Sequence, residues 1–331
     1  MRITMKEIAK MANVSVTTVS KVLNHRDMNI SETTKEKILR IAAEYDYVPN
    51  IMAKGLKGDH TNTLGIILPD ITNPFFSTIA RGIEDVGQAA GFGVVFCDTD
   101  NHPDRERSSL VYLTSRMIDG IIFIQTMCSP HIEFFPRDIP VVVIDRLPNF
   151  DNAKNIPIGK VYTDTIGAIH AMTFLQIESG CSNLAFISAK SNSPSDRYYG
   201  FAQALSEKGI KLRKELVYWG DFNTATGFNG VEYLIKNHFH FDGIVCGNDL
   251  IAIGAIDALR KHNFHIPAQV KVTGLDDIMI AQYMTPPLTT AKQFAYEMGE
   301  AAARMLIENI LHQTPLDEIK FDFEIMHRHT V

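Results

Sequence analysis

From Thr63 onward the chain alternates short apolar runs with stretches whose apolar residues recur every three to four positions, and few folds accommodate that rhythm. Segments 64–68, 94–97, 121–124, 141–144, 184–188, 244–246 and 270–273 are too brief for helices and read as strands. Between them Phe76, Ile79, Ile83, Val86 and Ala90 keep helical spacing, as do Ile251, Ile256 and Leu259. Strands alternating with helices give parallel sheets covered by helices, and about 270 residues of this pattern suit two lobes.

Ligands of such sheets lie at the carboxyl ends of the strands. That rule selects Asp70, Asn73, Phe75 and Phe76 after the first strand, and Asp145 and Arg146 after the fourth. It also selects Asn248 and Asp249 after Val245-Cys246-Gly247, and Asp276 and Asp277 after Val272-Thr273-Gly274. Any one of them could equally cap a helix. Aromatic, carboxylate and guanidinium groups converging on one rim suit a sugar. Rings cover its apolar faces, and charged groups bond its hydroxyls at about 1.5–3 kcal/mol each.

The first sixty residues have a different pattern. Thr4 followed by Glu7 forms a capping box, after which Ile8, Met11 and Ala12 share one helical face. Asn13 and Val14 break that helix, and Ser15 can cap a second. In the second helix Val19, Val22 and Leu23 form the apolar stripe, while Val16, Thr17, Ser20 and Lys21 face outward. Two short helices across a tight turn make a helix-turn-helix, whose second member enters the major groove of DNA. A third helix, capped by Ser31, offers Ile38, Ile41, Ala42 and Tyr45 to close the small core. A plain three-helix bundle with polar outer faces fits the same spacing. Pro49 ends the third helix, and Asn50 can cap segment 51–57, which is too short to be a stable helix alone and is expected to order on DNA.

Charge supports a division of labour. The first sixty residues hold ten Lys/Arg against seven Asp/Glu, and the rest 22 against 31, so a head of about +3 sits on a body of about −9. At 45% apolar and 21% charged residues the usage is globular, and no apolar run approaches the ~20 residues of a membrane span. The N-terminus carries Arg2, Lys6, Glu7 and Lys10 where a signal peptide needs apolar residues, so a cytoplasmic protein is expected. Cys97, Cys128, Cys181 and Cys246 are scattered without a C-x-x-C pair and read as reduced thiols, and the twelve His show no metal-ligand spacing. No metal or cofactor is expected.

The run Met5-Lys6-Glu7-Ile8-Ala9, the run from Val14 to Asn24 and Tyr47-Val48-Pro49-Asn50 resemble the head of the LacI/GalR family of bacterial repressors almost residue for residue. The resemblance implies that Val16, Thr17 and Lys21 choose the operator. Thr can bond a base edge or cover a thymine methyl, and Val offers apolar contact only. Lys21 stands where the family often has Arg, losing the bidentate fork to guanine. Thr4, Ser15, Thr18, Ser20, Asn24 and Tyr45 would contact phosphates or polar core groups. Through Asn50, Ala53 and Leu56 the resemblance extends to a hinge helix, whose leucines from two subunits wedge into the minor groove. Gly55 departs from that pattern, at up to ~1 kcal/mol of helix stability.

The body resembles the periplasmic ribose-binding protein fold that this family shares. This implies a sugar set of Asn73, Phe75, Phe76, Asp145, Arg146, Arg197, Phe222, Asn248, Asp276 and Gln293, with Asp70 beside it. The opening Leu68-Pro69-Asp70-Ile71-Thr72-Asn73-Pro74-Phe75-Phe76 also occurs in repressors of other sugars, so the expectation is a monosaccharide, ribose or similar. Cys181 stands where the family usually has His and reads as a small buried thiol.

The expected chain is therefore α/β, with an all-α helix-turn-helix head (1–48), a hinge helix and linker (49–61), and a two-lobed, doubly wound, periplasmic-binding-protein-like body (62–331). Its lobes comprise about 62–162 plus 291–320, and 163–290 plus 321–331. The resemblance implies a homodimeric repressor of a sugar-utilisation operon, binding operator DNA and a sugar effector, with no membrane partner. An alternative keeps the fold but takes a phosphorylated carrier protein or sugar phosphate as corepressor; the well-filled sugar set argues against it. An enzyme is disfavoured, because there is no G-x-S-x-G elbow or P-loop and Gly91-Phe92-Gly93 precedes a strand instead of opening a helix. A secreted sugar-binding protein would carry neither this N-terminus nor a DNA-binding head.

Overall fold

The computed structural model describes residues 3–23, 29–47, 60–126, 135–146, 157–189 and 196–331. It divides into two compact units, Met1–Thr61 and Asn62–Val331.

The first unit contains α1 (Met5–Ala12), α2 (Val16–Leu23) and α3 (Glu32–Glu44). The capping box at the start of α1 is formed in both directions: Thr4 N–H donates to Glu7 Oε2 at 2.7 Å, and Glu7 N–H donates to Thr4 Oγ1 at 3.4 Å. Asn13 ends α1 in the left-handed region (φ 57°), and Ser15 Oγ caps α2 by accepting Thr18 N–H at 3.0 Å. Ile8, Ala9, Ala12, Val19, Val22, Ile38, Ile41 and Ala42 form the core. Two expectations are corrected. Tyr45 is 47% exposed and leaves this core, because the chain turns out of helical geometry after Glu44; Tyr47 packs there instead. Ser31 stands at the N-cap of α3, but its hydroxyl meets Thr34 Oγ1 at 2.8 Å and caps no backbone N–H.

The second unit holds two six-stranded sheets. In the first, β1 (Thr63–Leu68), β2 (Gly93–Asp98), β3 (Gly120–Phe123), β4 (Val141–Ile144), β5 (Ile158–Thr163) and β11 (Glu318–Phe321) run in the order β11-β5-β4-β3-β1-β2, all parallel. In the second, β6 (Leu184–Ala189), β7 (Val217–Gly220), β8 (Gly243–Cys246), β9 (Lys271–Asp276), β10 (Thr289–Lys292) and β12 (Glu324–Met326) run in the order β12-β10-β9-β8-β6-β7, with only β12 antiparallel. Each sheet is the core of one lobe. The central strands are buried throughout, as their predominantly apolar runs demand when helices cover both faces.

Helices α4 (Pro74–Ala89), α5 (Pro103–Ser115) and α10 (Ala295–His312) cover the first sheet, and α6 (Thr165–Glu178), α7 (Asp196–Glu207), α8 (Thr224–Lys236) and α9 (Asp249–Lys261) the second. The chain crosses between lobes three times, after β5, after β10 and between β11 and β12. Three helix pairs pack backbone to backbone: α4 with α10, α6 with α7, and α8 with α9. Glycine permits this closeness, since a Cβ on Gly227 or Gly254 would stand 1.8 Å from the Ile251 or Thr224 carbonyl oxygen across the α8–α9 contact, far inside van der Waals contact. Gly254→Ala must therefore force these helices apart, and a loss of about 1–3 kcal/mol is expected from urea denaturation of the full chain. An unchanged midpoint would refute the close approach.

Candidate functional site

In the first unit the exposed side of α2 presents Val16, 40% exposed, with Thr17 and Lys21 beside it. Helical spacing sets Val16 over half-buried Ser20 and Thr17 over Lys21. Ser15 and Thr18 share a hydroxyl contact of 2.8 Å, and the Thr4 hydroxyl donates to Glu7 Oε2 at 2.8 Å, so these three also organise the helix starts. Asn24, Asn50, Ala53 and Leu56 lie outside the described residues.

In the second unit the strand ends build a cleft around Arg146. Its Nη1 donates to the Gln125 carbonyl at 2.9 Å, and its Nε stands 3.6 Å from Asp145 Oδ2. The guanidinium carbon lies 5.4 Å from the centre of the Phe76 ring, from the first lobe, and 5.1 Å from that of Phe222, from the second. Arg197, at the start of α7, covers the same Phe222 ring at 4.4 Å. Phe75 packs edge-on against Phe76 with centroids 5.3 Å apart. Asp276, the last residue of β9, accepts from Gln293 Nε2 at 2.8 Å, and Arg197, Asp145 and Arg146 all act on its charge. Phe75, Asp276 and Gln293 also line one cavity with Thr78, Lys292 and Tyr296.

Among the described residues, three polar atoms in this set are buried without a hydrogen-bond partner: Arg146 Nε, Arg197 Nε and Gln293 Oε1. Two donors and an acceptor without hydrogen-bond partners beside the Phe76 and Phe222 rings are able to take hydroxyl groups. Asp145, Asp276 and Asp277 all adopt positive φ (67°, 120° and 56°), a backbone cost of about 1–3 kcal/mol each that aims their carboxylates. Burial pushes the Arg146 guanidinium down to about 10, a shift that Asp145 opposes, so the group remains charged at neutral pH.

Other expected residues also make hydrogen bonds within their own loops. Asn73 Oδ1 accepts Phe75 N–H at 3.0 Å and starts α4, and Asn248 Oδ1 accepts Ile251 N–H at 3.0 Å and starts α9. Asp70 receives the Thr72 N–H and hydroxyl at 2.8 and 2.6 Å. Asp277 pairs with Arg328 at 2.6 Å. Asp249, wholly buried, takes the Thr290 hydroxyl and the Ile278 N–H at 2.5 and 2.9 Å, tying the ends of β8, β9 and β10 together beneath Asp276. Gln125 and Thr126 were not among the expected residues, although they lie second and third after the end of β3, close to where Asp145 and Arg146 follow β4. Cys181 is buried in the turn after α6, where burial pushes its thiol up to about 11.

Burial also raises the Asp276 carboxyl to about 7, against the pull of Arg197, and pushes Asp249 up beside it. A carboxyl that titrates higher folded than unfolded holds a proton the unfolded chain has released, so stability falls as pH rises from the ordinary Asp range toward 7. Urea midpoints measured from pH 5 to 8 should decline more steeply in the native chain than in Asp276→Asn. Parallel profiles would mean that Asp276 ionises at its ordinary value.

Residues 4–50 match the bacterial regulatory proteins of the lacI family, and residues 176–331 match the periplasmic binding protein-like domain. The chain is 36% identical over 329 residues to the HTH-type transcriptional regulator RegA of Clostridium saccharobutylicum, covering 98% of this chain and 97% of that protein. It is 33% identical over 321 residues to the ribose operon repressor of Halalkalibacterium halodurans, covering 96% and 93%. In fold it is like the lac repressor dimer bound to operator and the anti-inducer ONPF, with a TM-score of 0.83 over 100% of this chain and 99% of that one at 21% identity. A helix-turn-helix unit and a two-sheet body, matched along nearly the whole length by such relatives, place the chain in the lacI family of bacterial transcriptional regulators.

Proposed function

We propose that this protein is a repressor of a sugar-utilisation operon whose grip on operator DNA is set by a monosaccharide, ribose or a close relative, held between the lobes. The observation that carries the reading is the cluster of Arg146 Nε, Arg197 Nε and Gln293 Oε1, buried without hydrogen-bond partners among the described residues, around the Phe76, Arg146 and Phe222 stack. Sugar hydroxyls both accept and donate, and the C–H faces of a sugar ring fit the aromatic walls. Contacts are assigned to Asn73, Phe75, Phe76, Asp145, Arg146, Arg197, Phe222, Asn248, Asp276 and Gln293, with Asp70 beside them. That a relative of similar length is named ribose operon repressor supports the choice of sugar.

One head reads only a few base pairs, so specific binding takes two heads on a palindrome, joined by the bodies. Directly after Asp276, Asp277 and Ile278 come Met279, Ile280 and Tyr283, which are 74%, 46% and 70% exposed. A second copy of the chain covering this apolar surface would sit a few residues from the carboxylate that grips the sugar. Cleft closure then shifts the dimer and changes operator affinity, and operator binding changes sugar affinity by the same factor, commonly about 1–3 kcal/mol.

A thermal-shift panel of pentoses, hexoses and phosphosugars, followed by operator titration with and without the best binder, tests the reading. Arg146→Ala should cost about 2–4 kcal/mol of sugar binding, roughly thirtyfold to nearly a thousandfold in affinity, while sugar-free operator binding survives. Retained sugar affinity would remove the ligand from this cleft. Lys21→Ala should weaken operator binding and lower its salt slope by about one if the ammonium meets a phosphate, or change preference at one base pair if it meets a base edge. A binding-site selection showing neither change would take Lys21 out of the interface.

A further inference from the structure

Glu106 belongs to no part of the proposed sugar set, yet it is a wholly buried carboxylate close to it. It lies one turn before Leu110 and two before Leu113, on the face that α5 turns into the first lobe. Glu106 Oε2 accepts the Thr126 N–H at 3.0 Å. The preceding residue, Gln125, offers the carbonyl that receives Arg146 Nη1 at 2.9 Å. Helix carboxylate, backbone N–H, neighbouring carbonyl and guanidinium thus form one connected series running from inside the lobe to the cleft. The negative charge of Glu106 also acts directly on Arg146, favouring its protonated form. Taking a carboxylate out of water is far more costly than burying an amide in the same place. Fastening a loop needs only an acceptor, and the charge adds attraction for the buried guanidinium.

We propose that Glu106 is a positioning residue for Arg146, holding the Gln125–Thr126 corner so that the guanidinium is aimed before any ligand arrives. A preset donor binds more tightly than one that must be ordered on binding. The effect on ligand affinity rests on the sugar reading given above, but the ordering of Arg146 does not, and the test separates them.

In the full chain labelled with 15N-arginine, the Nε–Hε signal of Arg146, assigned by its loss in Arg146→Lys, reports the order of the guanidinium without ligand. Glu106→Gln keeps an acceptor for Thr126 and should leave that signal ordered. Glu106→Ala should broaden it or give it the relaxation of a free side chain. Glu106→Asp, one methylene too short to reach Thr126, should do the same and carries the test if the alanine variant does not fold. Calorimetric titration with D-ribose should show affinity lowered roughly tenfold in Glu106→Ala and by less than about threefold in Glu106→Gln. An equally ordered Arg146 in the alanine and aspartate variants overturns the proposal, as does a glutamine variant as disordered as alanine. If the native chain does not respond to D-ribose or to other sugars, the sugar reading fails, and the Arg146 signal alone decides the role of Glu106.

Discussion

A guanidinium withdrawn from water has to be compensated on several sides at once, and the two-lobed body is arranged around the one that Arg146 carries. Asp145 supplies the countercharge from the preceding residue, Gln125 supplies a carbonyl from the loop after β3, and Phe76 and Phe222 supply ring faces from opposite lobes. Because the compensation comes from both lobes, their separation and the solvation of Arg146 are not independent. Anything that replaces one of these partners, including a bound hydroxyl, alters the balance that holds the lobes at their present distance. The positive φ values at Asp145 and Asp276 belong to the same arrangement, since the charges of both carboxylates act on Arg146.

Much of this was legible in the chain, for reasons that differ from element to element. The seven runs that read as strands are strands, because positions buried on both faces must be apolar without interruption. Strands Ile158–Thr163, Val217–Gly220, Thr289–Lys292, Glu318–Phe321 and Glu324–Met326 were not legible. Most are half-buried, so polar residues interrupt them. The same gap explains the site. Asp145, Arg146 and Asp276 stand at the ends of recognisable strands, whereas Phe222 and Gln293 follow β7 and β10, two of the strands that local pattern conceals. Arg197 begins a helix, and only the family resemblance pointed to these three. Glu106 was hidden differently, inside the charged run Asp104-Arg105-Glu106-Arg107, where only helical phase relative to Leu110 distinguishes it from its solvated neighbours.

The glycine contacts between helix pairs give each lobe a backbone-to-backbone frame that side-chain rearrangement cannot loosen. Response to a ligand is thereby directed away from the lobe interiors and toward the three chain crossings, which are the places where relative movement leaves packing intact. Asp249 reinforces this by fixing the loop behind Asp276 to the ends of neighbouring strands, so that the carboxylate moves with its lobe.

The interleaving of the two sheets also constrains how the protein is made. The first lobe opens with β1 at Thr63, but its core includes Met298, Ala302, Leu306 and Ile310 of α10, and its sheet is completed only by β11. A ribosome must therefore deliver almost the entire polypeptide before the earlier lobe can close its hydrophobic face, while most of the second lobe has already emerged. The half-built first sheet waits during that interval with β4 and β5 uncovered, the condition in which nascent chains aggregate or recruit chaperones. Synthesis order and folding order run opposite to each other here, and the late-arriving α10 is the segment on which productive folding of the earlier lobe depends.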